Sequence, residues 1–204
     1  MNAAAHFFRD YVTRVQAILS AMDPAPVGEL VDALLAVRAH GGTVWTCGNG
    51  GSASTAEHFA SDLVGTLRLS ANPFRAICLS SNIAAFSAAA NDYGYENAFS
   101  RQLDGRITSH DLLVAISASG NSPNVLSAVE YARRAGARVA GLTGFDGGLL
   151  RERADIAIHV PSEHGEYGPC EDLHMVVKHG VTMYLDRLLS GGDDPRLARI
   201  EPAA

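Results

Sequence analysis

The sequence is short of cysteine, of net basic charge and of uninterrupted apolar runs, and each shortage excludes a class of protein. Its three cysteines, Cys47, Cys78 and Cys170, stand far apart among 204 residues, with no Cys-x-x-Cys or zinc-finger spacing. An odd number so widely spread builds no disulfide framework and points to a reducing compartment. Sixteen Lys and Arg face 22 Asp and Glu, for a formal charge of −6. That balance lacks the basic surface with which nucleic-acid binders neutralise phosphates. No stretch approaches the roughly 20 apolar residues needed to span a bilayer. The opening residues 1–22 are broken by Arg9, Asp10 and Arg14 and lack the apolar centre of a signal peptide. A cytoplasmic protein with neither nucleic acid nor membrane as partner is expected.

What is present reads as an ordinary globular chain, 47% hydrophobic and 19% charged. The length suits one domain with a real core. We expect it over residues 1–190, with a frayed tail over 191–204. Residues 1–40 carry two helical stripes, separated by Pro24 and Pro26. The first (Phe8, Tyr11, Val12, Val15, Ile18, Leu19) is long for a helix that only caps a domain, so packing on a second subunit is expected as well.

From Thr43 onward, short apolar runs alternate with helical patterns. Strands are expected at Val44–Cys47, Ala76–Leu79, Leu112–Ile116, Val139–Leu142 and Ile156–Val160. Helices are expected at Ser54–Thr66, Ala84–Ala90, Asn124–Ala135 and Glu171–Leu189. Such alternation predicts an α/β fold, an open parallel sheet covered by helices on both faces. Ligands of these sheets bind beyond the carboxyl ends of the strands, near the switch in strand order.

Two strand-end loops hold the small polar residues suited to an anion. After Leu112–Ile116 comes Ser117-Ala118-Ser119-Gly120-Asn121-Ser122, and then a helix start. Free N–H groups, a positive dipole end and hydroxyl donors meet there, as a phosphate requires. A capped strand-to-helix turn would use the same residue types. The loop Gly48-Asn49-Gly50-Gly51-Ser52 has the same position after Val44–Cys47, which favours the phosphate cradle. Neither loop matches the dinucleotide or P-loop fingerprint.

Two helices carry titratable residues. His58 and Asp62, four apart, share one helix face. Glu171 and His179, eight apart, share a stripe of the last helix, with His174 rotated aside. Two histidines and two carboxylates are a possible ligand set for zinc or a similar ion. Spacing alone does not bring the two helices together. Asn91-Asp92-Tyr93-Gly94, after an alanine-rich helix, reads as a helix stop.

Taken together, GNGGSASTAEHFASDLVG, AANDYGYENAFSRQ, AISASGNSPNVLSAVEYAR, LTGFDGG and EDLHMVVKH resemble the sugar isomerase (SIS) family, nearest to its phosphoheptose isomerases. The likeness runs from about residue 5 to residue 189. It implies a five-stranded parallel sheet and a homotetramer with active sites at subunit interfaces. It implies conversion of sedoheptulose 7-phosphate to D-glycero-D-manno-heptose 7-phosphate through an enediol. The family's phosphate contacts fall on Ser52, Ser117, Ser119 and Ser122, and its substrate-lining positions on Asn49, Gly50, Gly51, Asn91 and Asp92. Its zinc ligands fall on His58, Asp62, Glu171 and His179, for one zinc per subunit. Its base and acid fall on Asp62 and His179. Three positions depart from the pattern: Asp62 replaces a glutamate, Glu171 a glutamine, and Ala118 a threonine between the phosphate serines. These departures leave two alternatives open, an isomerase of another sugar phosphate and a non-catalytic SIS scaffold of the kind that binds a replication initiator.

Overall fold

A computed structural model of the chain describes residues 2–65 and 72–190. The elements follow in the order α1 (Ala3–Ser20), α2 (Ala25–Ala39), β1 (Thr43–Cys47), α3 (Gly51–Gly65), β2 (Arg75–Cys78) and α4 (Ile83–Tyr93). A 3-10 turn at Tyr95–Asn97 precedes α5 (Ser100–Leu103), β3 (Leu112–Ser117), α6 (Pro123–Arg134), β4 (Arg138–Thr143), α7 (Gly148–Arg153), β5 (Ile156–His159) and α8 (Tyr167–Leu189). The five strands pair in parallel in the order β2-β1-β3-β4-β5.

A parallel sheet must be covered on both faces, and successive side chains divide between them. Val44, Leu112, Val114, Ile116, Leu142 and Ile158 pack with apolar residues of α2, α3 and α8. Trp45, Leu113, Ala115 and Val139 pack with residues of α5 and α6 and with Leu150 of α7. Every residue of β3 is buried, which explains its continuous apolar run.

The chain leaves β1 outward to β2, then returns to place β3 on the other side of β1. The switch in strand order therefore lies between the carboxyl ends of β1 and β3, where both polar loops begin. At the opposite end, the Asp111 carboxylate joins the same two strands. Its Oδ1 accepts the Thr43 N–H at 2.7 Å, and its Oδ2 accepts the Thr108 N–H at 2.7 Å and the Trp45 indole N–H at 3.3 Å.

All five expected strands are present, displaced by at most one residue at an end. The expected helix stop at residues 91–94 is shorter than read. Asn91, Asp92 and Tyr93 form the last turn of α4, and Gly94 alone ends it, with φ of +87°. Thr66, the expected end of the third helix, and the expected tail over 191–204 fall outside the described residues. In α1 only Ile18 is buried; Phe7 and Phe8 are 73% and 65% exposed, and Val12 and Leu19 are exposed too. The helix is held to the start of α8 by Arg14, which donates from Nε to Glu166 at 2.8 Å and from its terminal nitrogen to the other carboxylate oxygen at 2.8 Å. The pair holds the Glu166 carboxyl below the usual carboxylate range. Among the described residues no helix is long and apolar enough to cross a membrane.

Candidate active site at the switch in strand order

The two polar loops meet in a cleft of about 150 Å³, lined by Asn49, Ser52, Ser117, Ala118, Ser119, Ser122, Tyr167 and Glu171. Six of these come from the loops after β1 and β3; the last two lie on α8. The Ser117 and Ser122 hydroxyls stand 3.2 Å apart. The loop after β3 is fixed by Gly120, whose φ of +64° and contact with the Gly147 carbonyl leave no room for a side chain. The loop after β1 is fixed by an amide pair. Asn49 Nδ2 donates to Asn124 Oδ1, and Asn124 Nδ2 to Asn49 Oδ1, each at 2.9 Å, while the Tyr95 hydroxyl also donates to Asn49 Oδ1 at 2.9 Å. Asn124 is fully buried and locks the two loops to each other. Its signal in the sequence was a lone asparagine on the buried side of a helix start.

Glu171 reaches into this cleft from α8. A Cβ on Gly51 would fall 2.0 Å from its Oε2, so only glycine at the head of α3 leaves space for the carboxylate. Burial, reinforced by the charge of Asp172, raises the Glu171 pKa above its ordinary value. Asp172 itself accepts a hydrogen bond from the Tyr11 hydroxyl, and Tyr11 is pushed up to about 12, mainly by burial.

Farther along the same two helices stands a second cluster. The ligand atoms of His58, Asp62 and His179 all lie within 4.8 Å of one another. The two imidazole rings meet edge to face, with centroids 5.1 Å apart. His58 Nε2 lies 3.4 Å from Asp62 Oδ1, and Asp62 Oδ2 accepts from the ammonium of Lys178. Lys178 is fully buried, which lowers its pKa against the opposing pull of Asp62. The His179 pKa is also lowered, first by burial and then by the charges of Lys178 and His58, with Asp62 opposing. The imidazole therefore stays neutral at neutral pH.

The structure thus brings together three of the four expected metal positions. Glu171 is not in that group; it lies at the cleft, two helical turns before His179. Asn91 and Asp92 are exposed at the end of α4, with Asn91 donating to Asp92 at 2.9 Å, and they do not line the cleft. Two imidazoles and one carboxylate suit a borderline divalent cation and leave coordination positions open. Asp62 can offer Oδ1 while Oδ2 remains hydrogen-bonded, the usual state of a ligating carboxylate. The residues present fit such an ion.

His174, set aside in the sequence pattern, is fully buried behind the site. Its Nε2 donates to the Thr143 carbonyl at 3.2 Å, and among the described residues its Nδ1 has no partner. Burial lowers its pKa to about 4. Beside the cleft, Phe145 takes a φ of +54°, which a bulky side chain rarely adopts, and its ring packs edge to face on Tyr167 at 5.0 Å.

A serine-lined cradle thus lies at the switch of a doubly covered parallel sheet, with a histidine–carboxylate group farther along the same two helices. The SIS-domain profile matches residues 7–144. The phosphoheptose isomerase of Akkermansia muciniphila is 42% identical over 74% of this chain and 79% of its own length. That of Mycobacterium tuberculosis is 42% identical over 78% of this chain and 80% of its own. Among solved structures, the phosphoheptose isomerase of Neisseria gonorrhoeae superposes with a TM-score of 0.78 at 31% identity, covering 90% of this chain and 96% of that one. That of Francisella tularensis gives 0.81 at 29%, covering 92% and 100%. The chain belongs to the phosphoheptose isomerase family of SIS-domain proteins.

Proposed function

We infer that this chain isomerises sedoheptulose 7-phosphate to D-glycero-D-manno-heptose 7-phosphate, an aldose–ketose interconversion through an enediol. One observation carries the reading: α3 and α8 run side by side with both parts of the site repeated along them. Glu171 meets Gly51 at one end, and His179 meets His58 at the other. At 1.5 Å per residue, the six residues from Ser52 to His58 and the eight from Glu171 to His179 separate the parts by roughly 9–12 Å. An extended sugar chain with its phosphate in the cradle and its carbonyl end at the histidines bridges such a gap.

Ser52, Ser117, Ser119 and Ser122 hold the phosphate through hydroxyls and the adjoining helix starts. Asp62, beside the Lys178 ammonium, is the base that takes the proton from one carbon and returns it to the next. Neutral His179 moves the proton between the two substrate oxygens. Zinc, one per chain, is the ion we assign to His58, Asp62 and His179; when bound it would supply positive charge for the developing enediolate, and Asp62 and His179 carry protons only while they are not ligating it. Glu171 remains a substrate-lining residue in this reading, along with Asn49, Gly50 and Gly51.

The exposed apolar side of α1 supports a homotetramer in which α1 packs on a neighbouring copy and the sites lie at subunit interfaces, where Asn91 and Asp92, exposed at the end of α4, line the substrate. We further propose one SIS domain over residues 1–190 and a cytoplasmic location. Incubation with sedoheptulose 7-phosphate, followed by NMR for the aldose, tests the activity. Absence of conversion with and without added zinc would refute it, and conversion of a different ketose phosphate instead would reassign the substrate.

A further inference from the structure

The place of Lys178 in the sequence gave no warning of its surroundings. It lies on the largely apolar α8, is fully buried, and ends on Asp62 Oδ2. Asp62 supplies the only negative charge among His58, Asp62 and His179. Its two oxygens are already divided, Oδ1 toward His58 and Oδ2 to the ammonium. A divalent cation held by Oδ1 would therefore share its one anionic ligand with a fixed positive charge a few ångströms away. The ammonium itself is sealed from solvent, so water screens the two charges only from the exposed side of the carboxylate. The ammonium also withdraws electron density from the carboxylate and makes it a poorer ligand.

We propose that Lys178 is a built-in counter-cation that competes with the metal for Asp62, holding down the metal affinity and keeping the histidine–carboxylate group assembled when no metal is bound. The proposal rests on the reading of that group as a metal site. In it Lys178 is a positioning residue: it touches Asp62 and acts through it. Its neutral replacement frees Oδ2 and removes the repulsion, so the metal binds more tightly. Removing a partner of a metal ligand ordinarily costs about tenfold to a hundredfold in affinity; because this partner is a cation, a gain of that order is expected instead.

The test is zinc affinity of the full chain, stripped with a chelator and titrated against a chromophoric competitor, with Lys178→Met and Lys178→Gln beside the unmutated protein. Cobalt substitution gives a second readout, since visible absorption reports ligand number and geometry. Tighter zinc binding in the variants, with a changed cobalt spectrum, is the expected result. Zinc binding by the variants alone would support the proposal in its extreme form. Equal or weaker binding in the variants overturns it while leaving the metal site intact. Failure of every protein, unmutated included, to take up zinc or cobalt overturns the metal reading itself. Should neither variant fold, the unmutated chain labelled with 15N-lysine serves instead. Zinc should then shift the Lys178 Nζ resonance and speed its proton exchange, and an unmoved resonance at zinc saturation would refute the competition.

Discussion

Removing Asp62 should damage the fold more than removing Lys178, although the two form a single ion pair. Lys178 has no exposed side-chain surface, whereas Asp62 is 20% exposed and retains His58 beside it. Asp62→Ala strands a buried ammonium, and breaking a buried pair from one side costs about 3–5 kcal/mol. For a chain of this size, each kcal/mol lowers Tm by about 2–4 °C, so a fall of roughly 6–20 °C is expected. Lys178→Met leaves a carboxylate that water can reach and puts an apolar chain among apolar neighbours, at a cost below about 1 kcal/mol. The double variant should regain most of what Asp62→Ala loses, because the stranded charge is gone. Urea unfolding followed by the fluorescence of Trp45, the sole tryptophan and buried in the sheet, measures all four proteins at one protomer concentration. Equal losses in the two single variants, or no recovery in the double, would show that the pair does not owe its energetics to the burial of Lys178.

Glu171→Gln removes a negative charge from the phosphate cleft, and inorganic phosphate, titrated calorimetrically, should bind on the order of tenfold more tightly; unchanged affinity would place the phosphate elsewhere. His174 has a folded pKa near 4 against an ordinary 6.5, so the unfolded chain takes up the proton first. Its contribution to stability is therefore complete above pH 6.5 and is lost as the pH falls toward about 4. His174→Gln should flatten that part of the stability profile in denaturant titrations, and an unchanged slope would sink the assignment. Phe8→Asp should dissociate the assembly in light scattering while the monomer keeps its helical circular dichroism. A variant that stays assembled would take α1 out of the subunit interface.

The strands were legible because burial on both faces leaves a continuous apolar run, as in β3, and because four of the five runs end against glycine, serine or proline and the fifth against threonine and glycine. The short α7 was not, since six residues opening on Gly148 are too few to show a helical period. The serines that line the cleft announced themselves through local loop chemistry. His58 and Asp62 announced their shared face through spacing alone. Lys178 and Asn124 did not, because what makes each informative is a partner far along the chain, 116 and 75 residues away respectively. A lysine in an amphipathic helix ordinarily faces water, and nothing local distinguishes one that faces a carboxylate. Glu171 shows the converse. A common stripe groups it with His179, but eight residues of helical rise set it beside Gly51, apart from His58, Asp62 and His179.

Asp111 gives the sheet two unlike ends. One carboxylate takes three hydrogen bonds where β1 and β3 begin, so the registration of the two central strands is settled at the edge remote from the substrate. The opposite edge is relieved of that duty. Its loops can exchange residues, a threonine for Ala118 for instance, without loosening the strands that carry them. On this scaffold the choice of substrate can drift while the architecture stands still.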